Sequence, residues 1–459
     1  MQTTPTSHFE KLSAGHRTES LAREPIFPSG HLLPFVLTTS IFFLWGMSNN
    51  LTDILVQQFR KSFELSLVQA QLVQTAVFLA YATMAIPAAL MMRRFGYKSG
   101  LLAGLIVFGV GTLLFWPAAV LGHYIPFLIA LFVVGCGSSI LETSANPLMA
   151  RFGPAATAGQ RLNFAQAFNP PGTIAGVLIG TWFIFSGVDK NPAEIALMRA
   201  RGTYAAYLHS EILRVVPTYV ALGFSVLLLA ALIWMTRFPV ISDSYADQGE
   251  IAEALNPKVM SSIGRLLRNP HLTLAVVAQF FYVGAQIGTW STYIPYLRTY
   301  TAVSDRTAGY FLTASLIALA IGRIGSTSLM RLLPPEKMMA AYAAINVGLL
   351  AIGMAMPGMT GGLAILITSF FMSIMYPTIF ALGVRGLGDD TKLGGSLLVM
   401  AIAGGAIFPP AMGWITRGTG SVALGYLLPA SGYVVVALYA FLASRIGVGR
   451  GDSAAISVH

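Results

Sequence analysis

Charged residues and cysteine are scarce in this chain. Lys, Arg, Asp and Glu together make up 10% of the 459 residues, and Cys136 is the single cysteine. A lone cysteine excludes an intramolecular disulfide framework and a thiolate metal cluster. The chain is instead rich in apolar residues: 55% of its residues are hydrophobic, and its mean hydropathy is +0.69. Soluble domains of this length do not have such a composition, so the sequence predicts a membrane protein.

Two further features are missing from the sequence. The histidines all fall in tails, loops or the ends of apolar segments, at positions 8, 16, 31, 123, 209, 271 and 459. This placement predicts neither a buried histidine relay nor a metal site. The sequence contains no Gly-x-x-x-x-Gly-Lys-Ser/Thr loop, which argues against ATP hydrolysis by this chain. We therefore expect no enzymatic activity, no catalytic residue and no cofactor.

Apolar stretches long enough to cross a bilayer recur along almost the whole chain. A helix needs about 20 residues to cross a hydrocarbon core roughly 30 Å thick, and runs this continuous exclude a β-barrel. The sequence therefore predicts an all-α membrane protein with twelve transmembrane spans. They are expected at 31–57, 67–92, 99–120, 124–150, 161–186, 215–236, 271–297, 307–331, 337–357, 361–386, 393–416 and 422–445.

The widest polar gap after the N-terminal tail separates six spans from six, a layout typical of secondary transporters. It predicts a tail (1–30), a six-helix bundle (31–236), a linker (237–270) with a short amphipathic helix near 259–267, a second six-helix bundle (271–446) and a second tail (447–459). The first 30 residues are polar, so we expect a cytoplasmic tail rather than a cleaved signal peptide.

Basic residues set the expected orientation. They flank three short connections on the side of the linker, which is therefore expected to be cytoplasmic: Arg93, Arg94, Lys98, Arg151, Arg161, Arg331 and Lys337. The long loop at 186–214 is also basic and lies on the other side, but long loops are weaker topology signals. The net charge of +10 then reflects cytoplasmic loops and tails, and no nucleic-acid partner is expected.

Two carboxylates, Asp53 and Glu142, lie inside long apolar spans. A charged side chain near the bilayer centre costs about 2.5 to 3.5 kcal/mol on insertion scales, so one found there usually faces a cavity or a partner. Burial favours the neutral form of a carboxyl group and makes proton exchange feasible near neutral pH. The pair therefore indicates an ion-coupled transporter. The alternatives are a solvent-wetted span end for Asp53 and a structural carboxylate for Glu142.

Amide side chains accompany these carboxylates. Asn50 shares a helical face with Asp53, and the fifth span carries Asn163, Gln166 and Asn169 at its start. Amides offer both donors and acceptors, which matches the hydroxyl pattern of a sugar. The competing explanation for each amide is hydrogen bonding between helices.

Aromatic residues and amides alternate in the second half of the chain. Gln286 and Trp290 lie in the seventh span, and Tyr376 precedes Pro377 in the tenth, where a proline break is expected. Sugars present C–H faces that pack on aromatic rings and hydroxyls that need polar partners. These residues are therefore candidate sugar contacts, with ordinary helix packing or interface anchoring as the alternative.

These segments resemble the L-fucose–proton symporter family of the major facilitator superfamily, also called the fucose/galactose/glucose permeases. The likeness runs from about residue 35 to 441. Its most specific stretches are 49–55, 141–147, 278–291 and 376–383, whereas the superfamily's loop motif after the second span is degenerate here, at 93–98.

The resemblance implies two bundles that import a sugar across a bacterial inner membrane, with both termini in the cytoplasm. Glu142 matches the family's cavity carboxylate, and Asp53 matches its proton-linked aspartate. Gln166 and Asn169 match substrate amides of the fifth span. Trp45, Asn50 and Tyr376 fall on positions that line the cavity in the family.

Four residues depart from the family pattern and bear on the choice of sugar. Pro170 and Pro171 follow Asn169, Pro295 stands where fucose permeases resemble one another in having arginine, and Met375 replaces a polar residue. Glucose, galactose and mannose therefore fit as well as L-fucose.

Our mechanistic hypothesis is alternating access with proton symport. Asp53 takes a proton from the outer side, while Glu142 helps to bind the sugar and links its occupancy to protonation. Sodium coupling remains an alternative, with Asp53 and Asn50 as oxygen ligands. An uncoupled uniporter and a sugar sensor without transport are further alternatives. We expect a monomer whose partners are the sugar, the coupling ion and the lipid bilayer.

Overall fold

The computed structural model of this chain describes residues 32–152, 161, 164–187, 190–238, 265–266, 268–330, 333–385, 387 and 391–445, and within these ranges all regular secondary structure is helical. The first half contains α1 (Leu32–Ser62), α2 (Leu67–Leu113), α3 (Phe115–Leu121), α4 (Tyr124–Arg151), α5 (Asn169–Ile179), α6 (Pro192–Ala200), α7 (Tyr204–Leu213) and α8 (Val215–Met235). The second half contains α9 (Pro270–Tyr300), α10 (Asp305–Leu329), α11 (Pro335–Ala355), α12 (Met359–Met372), α13 (Met375–Val384), α14 (Thr391–Met400), α15 (Gly404–Thr419) and α16 (Leu427–Arg445).

Eleven helical segments in the described part of the chain are long and apolar enough to cross a membrane. They correspond to eleven of the twelve predicted spans, and the prediction of an all-helical membrane protein is confirmed. The fifth predicted span is described at residue 161 and from residue 164 onward. There the chain turns at 167–168 and then enters α5, which a π-helical turn at Gly180–Ile184 extends. Pro170 and Pro171 lack an N–H and are best tolerated in a first helical turn, so α5 starts beside them.

Single residues mark where long helical stretches bend or begin. Gly96 has φ +79° and ψ +170° and joins two successive spans within α2. This left-handed φ suits glycine, because a side chain there would be strained. Ser66 starts α2 with a capping box to Gln69, and Asn269 caps α9 by accepting from the backbone N–H groups of His271 and Leu272.

The predicted proline break in the tenth span is present. The span at 361–386 divides into α12 and α13 at Ser373 and Ile374, just before Pro377. Pro377 has no N–H to give to the carbonyl oxygen of Ser373, four residues earlier. That oxygen instead accepts a hydrogen bond from Arg323 Nε at 3.3 Å. The eleventh predicted span is also interrupted, by a 3₁₀ turn at Ala401–Ala403.

The segment at 186–214, which we expected to be a loop, contains the two helices α6 and α7. Asn191 and Glu194 form a capping box at the start of α6, and Gly202 has φ +70° between the helices. The buried carboxylate of Glu211 in α7 pairs with Lys61 of α1, with 3.2 Å between Oε2 and Nζ. This pair ties the insertion to the end of α1.

The helices pack as two bundles. In the first bundle, helices α1 to α8, α1 contacts α5 and α2 contacts α4 and α8. In the second bundle, helices α9 to α16, α9 contacts α15 and α16, α10 contacts α12, and α11 contacts α12 and α16. The domain boundaries at 31–236 and 271–446 stay a prediction, and most of the proposed linker helix at 259–267 lies outside the described residues.

We call the end that contains residues 62–67 and 301–304 the distal end, and the opposite end, where α8 ends and α9 begins, the linker end. Hydrogen bonds between the two bundles lie toward the distal end in the part of the chain that the structure describes. They join Gln57 to Asp305, Gln71 to Thr292, Thr75 to Ala406, Trp182 to Tyr310, and Arg306 to Trp182 and Phe185. The bundles are therefore closed against each other at the distal end.

Candidate functional site

Asp53 is a buried carboxylate on α1, with 4% of its surface exposed. Its Oδ1 accepts a hydrogen bond from Gln74 Nε2 on α2 at 2.7 Å, and Gln74 Oε1 accepts one from Thr52 Oγ1 at 3.3 Å. Tyr219 on α8 lies within electrostatic range of Asp53, and its buried hydroxyl has no hydrogen-bond partner among the described residues. Asp53 is therefore enclosed by its own bundle rather than wetted at a span end.

Glu142 is a half-buried carboxylate on α4. Its Oε2 is buried and finds no hydrogen-bond partner within the described residues. A small cavity of about 10 Å³ adjoins Glu142, and its lining also includes Ile41, Phe42, Trp45, Leu141 and Ala145. A cavity of this size holds roughly one water molecule. The hydroxyl or arginine that a structural carboxylate would require does not bond Oε2 among the described side chains.

Two tyrosine hydroxyls, one from each bundle, interact electrostatically with Glu142. Tyr81 on α2 and Tyr376 on α13 each lie within electrostatic range of its carboxylate. The indole N–H of Trp45 on α1 donates to the hydroxyl of Tyr81. Of the predicted site residues, Trp45 thus lies beside Glu142, and Tyr376 lies within electrostatic range of it. Tyr81 joins them without having been predicted.

The amides of the first bundle have mixed surroundings. Asn50 Nδ2 donates to the carbonyl of Gly46 at 3.3 Å, and Asn169 Nδ2 donates to the carbonyl of Phe42 at 3.4 Å. Gln166 is exposed, and its Nε2 donates to Asn146 Oδ1 at 3.2 Å. Each amide retains an oxygen acceptor for a ligand. The predicted contact Asn163 lies outside the described residues.

Two predicted contacts of the second bundle differ in how they are held. Trp290 is buried and donates its indole N–H to Ser369 Oγ at 3.0 Å, and Ser369 also bonds Ser315 at 2.6 Å. This arrangement directs the indole N–H of Trp290 into its own bundle. Gln286, one turn earlier on α9, is half-buried.

Asp53 and Glu142 form two separate sites. Trp45 lies beside Glu142, and Asp53 follows Trp45 by eight residues on the same helix. At 1.5 Å per residue this is about 12 Å along the α1 axis, toward the distal end. Glu142 therefore lies beside Trp45 and within electrostatic range of a tyrosine from each bundle, while Asp53 is enclosed within the first bundle.

The sequence reasoning missed Gln74, Tyr81 and Tyr219. Gln74 had a usable signal, because Gln71, Gln74 and Thr75 break an otherwise apolar run of α2. Tyr81 and Tyr219 have no such signal, since a tyrosine in a span is typical of packing and only the tertiary contacts relate them to the carboxylates.

The arrangement suits proton binding and sugar recognition. A carboxyl held out of water exchanges a proton, and a carboxylate beside indole and phenol groups binds hydroxyls and stacks on a sugar ring. The described residues contain no group of three or more His, Cys, Asp or Glu side chains placed to hold a metal ion.

Comparisons with known proteins agree with this picture. A profile of the Major Facilitator Superfamily matches residues 37–392. The L-fucose-proton symporter of Escherichia coli (strain K12) is 39% identical over 419 residues, which cover 90% of this chain and 94% of that protein. The glucose/galactose transporter of Brucella abortus biovar 1 is 33% identical over 415 residues, which cover 90% of this chain and 94% of that protein. A crystal structure of the E. coli fucose:proton symporter has a TM-score of 0.67 and 37% identity, covering 90% of this chain and 99% of that chain.

Proposed function

This chain belongs to the Major Facilitator Superfamily, and on that premise we propose that it couples the uptake of a monosaccharide to the entry of protons by alternating access. Its relatives are named as an L-fucose-proton symporter and as glucose/galactose transporters. The substrate is accordingly a hexose or a deoxyhexose such as glucose, galactose, mannose or fucose. The chain acts as a transporter, not as an enzyme.

The proposed sugar site rests mainly on the surroundings of Glu142. Its buried Oε2 has no hydrogen-bond partner among the described residues, while Trp45, Tyr81 and Tyr376 lie around it. A buried acceptor without a partner is costly, and a sugar hydroxyl supplies the missing donor. We assign sugar binding to this region, with Asn50, Gln166, Asn169 and Gln286 as further amide contacts. Trp290 and Asn163 remain predicted contacts.

Asp53 is the proposed proton carrier. Burial favours its protonated form, whereas the hydrogen bond from Gln74 favours the ionised form, and opposed influences of this kind suit a group that changes state during a cycle. Coupling requires a free-energy interaction between the proton site and the sugar site, and this interaction is reciprocal.

Proton coupling fits the surroundings of Asp53 better than sodium coupling does. A hard cation is held by oxygen ligands, whereas Asp53 Oδ1 receives an N–H group from Gln74 at 2.7 Å. A sodium ion at Asp53 would have to displace this arrangement.

The linker end is the proposed cytoplasmic side, in a bacterial inner membrane with both termini in the cytoplasm. The distal end then faces outward. The bundles contact each other at the distal end, which corresponds, in this proposed orientation, to a state that is closed to the outside.

Uptake of radiolabelled D-glucose, D-galactose, D-mannose and L-fucose into proteoliposomes tests the proposal, with a pH gradient and a sodium gradient imposed separately. Accumulation driven by the pH gradient alone is expected, for at least one sugar. Accumulation that requires sodium would refute proton coupling. Equilibration without accumulation would indicate a uniporter, and binding without flux would indicate a sensor.

A further inference from the structure

One turn of α2, residues 71–75, contacts both the proposed proton carrier and the second bundle. Gln74 donates to Asp53 Oδ1 at 2.7 Å. On the same turn, Gln71 Nε2 donates to Thr292 Oγ1 of α9 at 3.0 Å, and Thr75 Oγ1 donates to the carbonyl of Ala406 in α15 at 2.7 Å. The proton site and the contact between the bundles are thus joined through a single helical turn.

Helix geometry explains why the turn has two functions. Gln71 and Thr75 are four residues apart and share a face, whereas Gln74 is displaced by about 100° around the axis from Thr75. The shared face continues the contact with α15 in both directions. Val68 lies against Gly413, and Phe78 lies against Gly405, so closely that a methyl group on either glycine would be crowded. One face of the turn therefore packs on the second bundle and the neighbouring face bonds Asp53.

The carbonyl of Ala406 can accept the hydrogen bond from Thr75 because Pro410 leaves this carbonyl without its usual donor within the helix. Pro410 lies inside α15 and has no N–H to donate to the carbonyl of Ala406, four residues earlier. In an apolar environment a free carbonyl needs a donor, and Thr75 of the opposite bundle supplies it. When the bundles separate, this carbonyl must find another partner such as water, so the bond belongs to the distally closed state.

We propose that residues 71–75 form the coupling element of the transporter, in which Gln74 responds to the protonation of Asp53 and Gln71 and Thr75 transmit that response to the second bundle. This inference rests on the proposed role of Asp53 as proton carrier. A hydrogen bond to an ionised carboxylate is about twice as strong as one between neutral groups. Protonation of Asp53 therefore weakens its hold on Gln74 and favours opening of the distal end.

The charges around Asp53 allow it to dominate this response. The titratable group that faces it from another helix, among the described residues, is the phenol of Tyr219 on α8. The charged groups Arg60, Lys61, Glu211 and Asp305 interact with one another nearer the distal end, and Gln74 itself is uncharged.

The test measures how far the distal end opens as a function of pH. Spin labels are placed at the exposed positions His123 and Ala302, one in each bundle, in a Cys136→Ser background, and their distance distribution is recorded by pulsed electron spin resonance in nanodiscs. Without substitution, the longer distances are expected to increase as the pH falls.

Gln74→Met keeps the length of the side chain but removes the bond to Asp53, and the pH response is expected to shrink to less than about one third. Gln71→Met is the matched control on the same turn. It removes one of the two bonds to the second bundle but not the bond to Asp53, so the longer distances increase at every pH, while the bond from Thr75 to Ala406 still transmits part of the pH response. Gln74→Asn is a second variant, whose shorter amide does not reach Asp53.

A full pH response in folded Gln74→Met or Gln74→Asn overturns the inference, as does the absence of any pH response in the parent protein. The readout needs no sugar, so it is distinct from the test of function. Proton-driven sugar uptake with an unchanged pH response in the Gln74 variants would leave the proposed function standing and reject the coupling element. If the pH response of the distal end depends on Gln74 but the protein shows no proton-driven uptake, the proposed function is rejected and the link between Gln74 and the distal end is kept.

Discussion

Gln57 of the first bundle donates a hydrogen bond to Asp305 of the second, with 3.0 Å between Nε2 and Oδ1. Asp305 is buried at the start of α10 and also forms a salt bridge with Arg298, with 3.0 Å between Oδ1 and Nε. The carboxylate of Asp305 thus joins two helices of the second bundle to a side chain of the first bundle. We call this contact at the distal end the latch.

Asp305→Asn should loosen this latch. The substitution removes the charge that holds Arg298 and weakens the bond from Gln57, and hydrogen bonds to charged groups contribute about 1.5 to 3 kcal/mol. The ratio of distally open to distally closed molecules should rise about tenfold or more, as measured with spin labels at His123 and Ala302. Glu64→Gln is the control, because it removes an exposed ion pair with Arg199 within the first bundle. An equal response in both variants would contradict the latch.

Asp53→Asn should abolish proton-driven accumulation while leaving sugar exchange active. The amide is nearly isosteric but cannot carry the proton. Coupling free energies of 1 to 3 kcal/mol correspond to factors of about 5 to 150, so the accumulation ratio should fall by at least about fivefold. Uptake driven by a pH gradient is compared with counterflow of labelled sugar at equal pH. Normal accumulation in this variant would remove Asp53 from the proton path.

Glu142→Gln should weaken sugar binding. It replaces a charged acceptor by a neutral one beside Trp45, and the loss of a charged hydrogen bond of about 1.5 to 3 kcal/mol corresponds to roughly a 10- to 100-fold higher Kd. Calorimetry on purified protein measures the change. The control is Glu194→Gln, which alters an exposed capping carboxylate of α6 and should leave the Kd unchanged. Unaltered binding in folded Glu142→Gln would move the sugar site elsewhere.

Gly176→Ala should destabilise the first bundle. A methyl group on Gly176 would collide with the backbone carbonyl of Met47, because α5 and α1 pack closely there. Overpacking of this kind costs about 1 to 3 kcal/mol. The thermal midpoint in detergent should fall by several degrees. Gly348→Ala, at a helical position with open space around it, should leave the midpoint unchanged or raise it slightly. Similar shifts for both variants would indicate that close packing of α1 and α5 is not required.

The sequence predicted the parts of the structure that follow from local physics. The apolar runs predicted the spans, and Pro377 predicted the break between α12 and α13. The carboxylates of Asp53 and Glu142 were prominent because charge is costly in lipid. Asn191, Pro192 and Glu194 carry a start signal for α6, which the prediction of a loop at 186–214 does not use.

Other features depend on contacts that no single segment encodes. Gln74 bonds Asp53 across two helices, and Tyr81 and Tyr376 of different bundles lie within electrostatic range of Glu142. The closed distal end is one of at least two arrangements that alternating access requires of the same sequence. Span patterns are identical in all of these arrangements, so they cannot distinguish one from another.

The insertion formed by α6 and α7 has a practical consequence for imaging. Its outer surface is largely exposed, while the pair of Glu211 and Lys61 anchors it to α1. An antibody fragment raised against α6 would therefore move with the first bundle and add mass outside the detergent micelle. Electron cryomicroscopy of this small transporter could use the fragment to align particles and to sort them by the position of the other bundle.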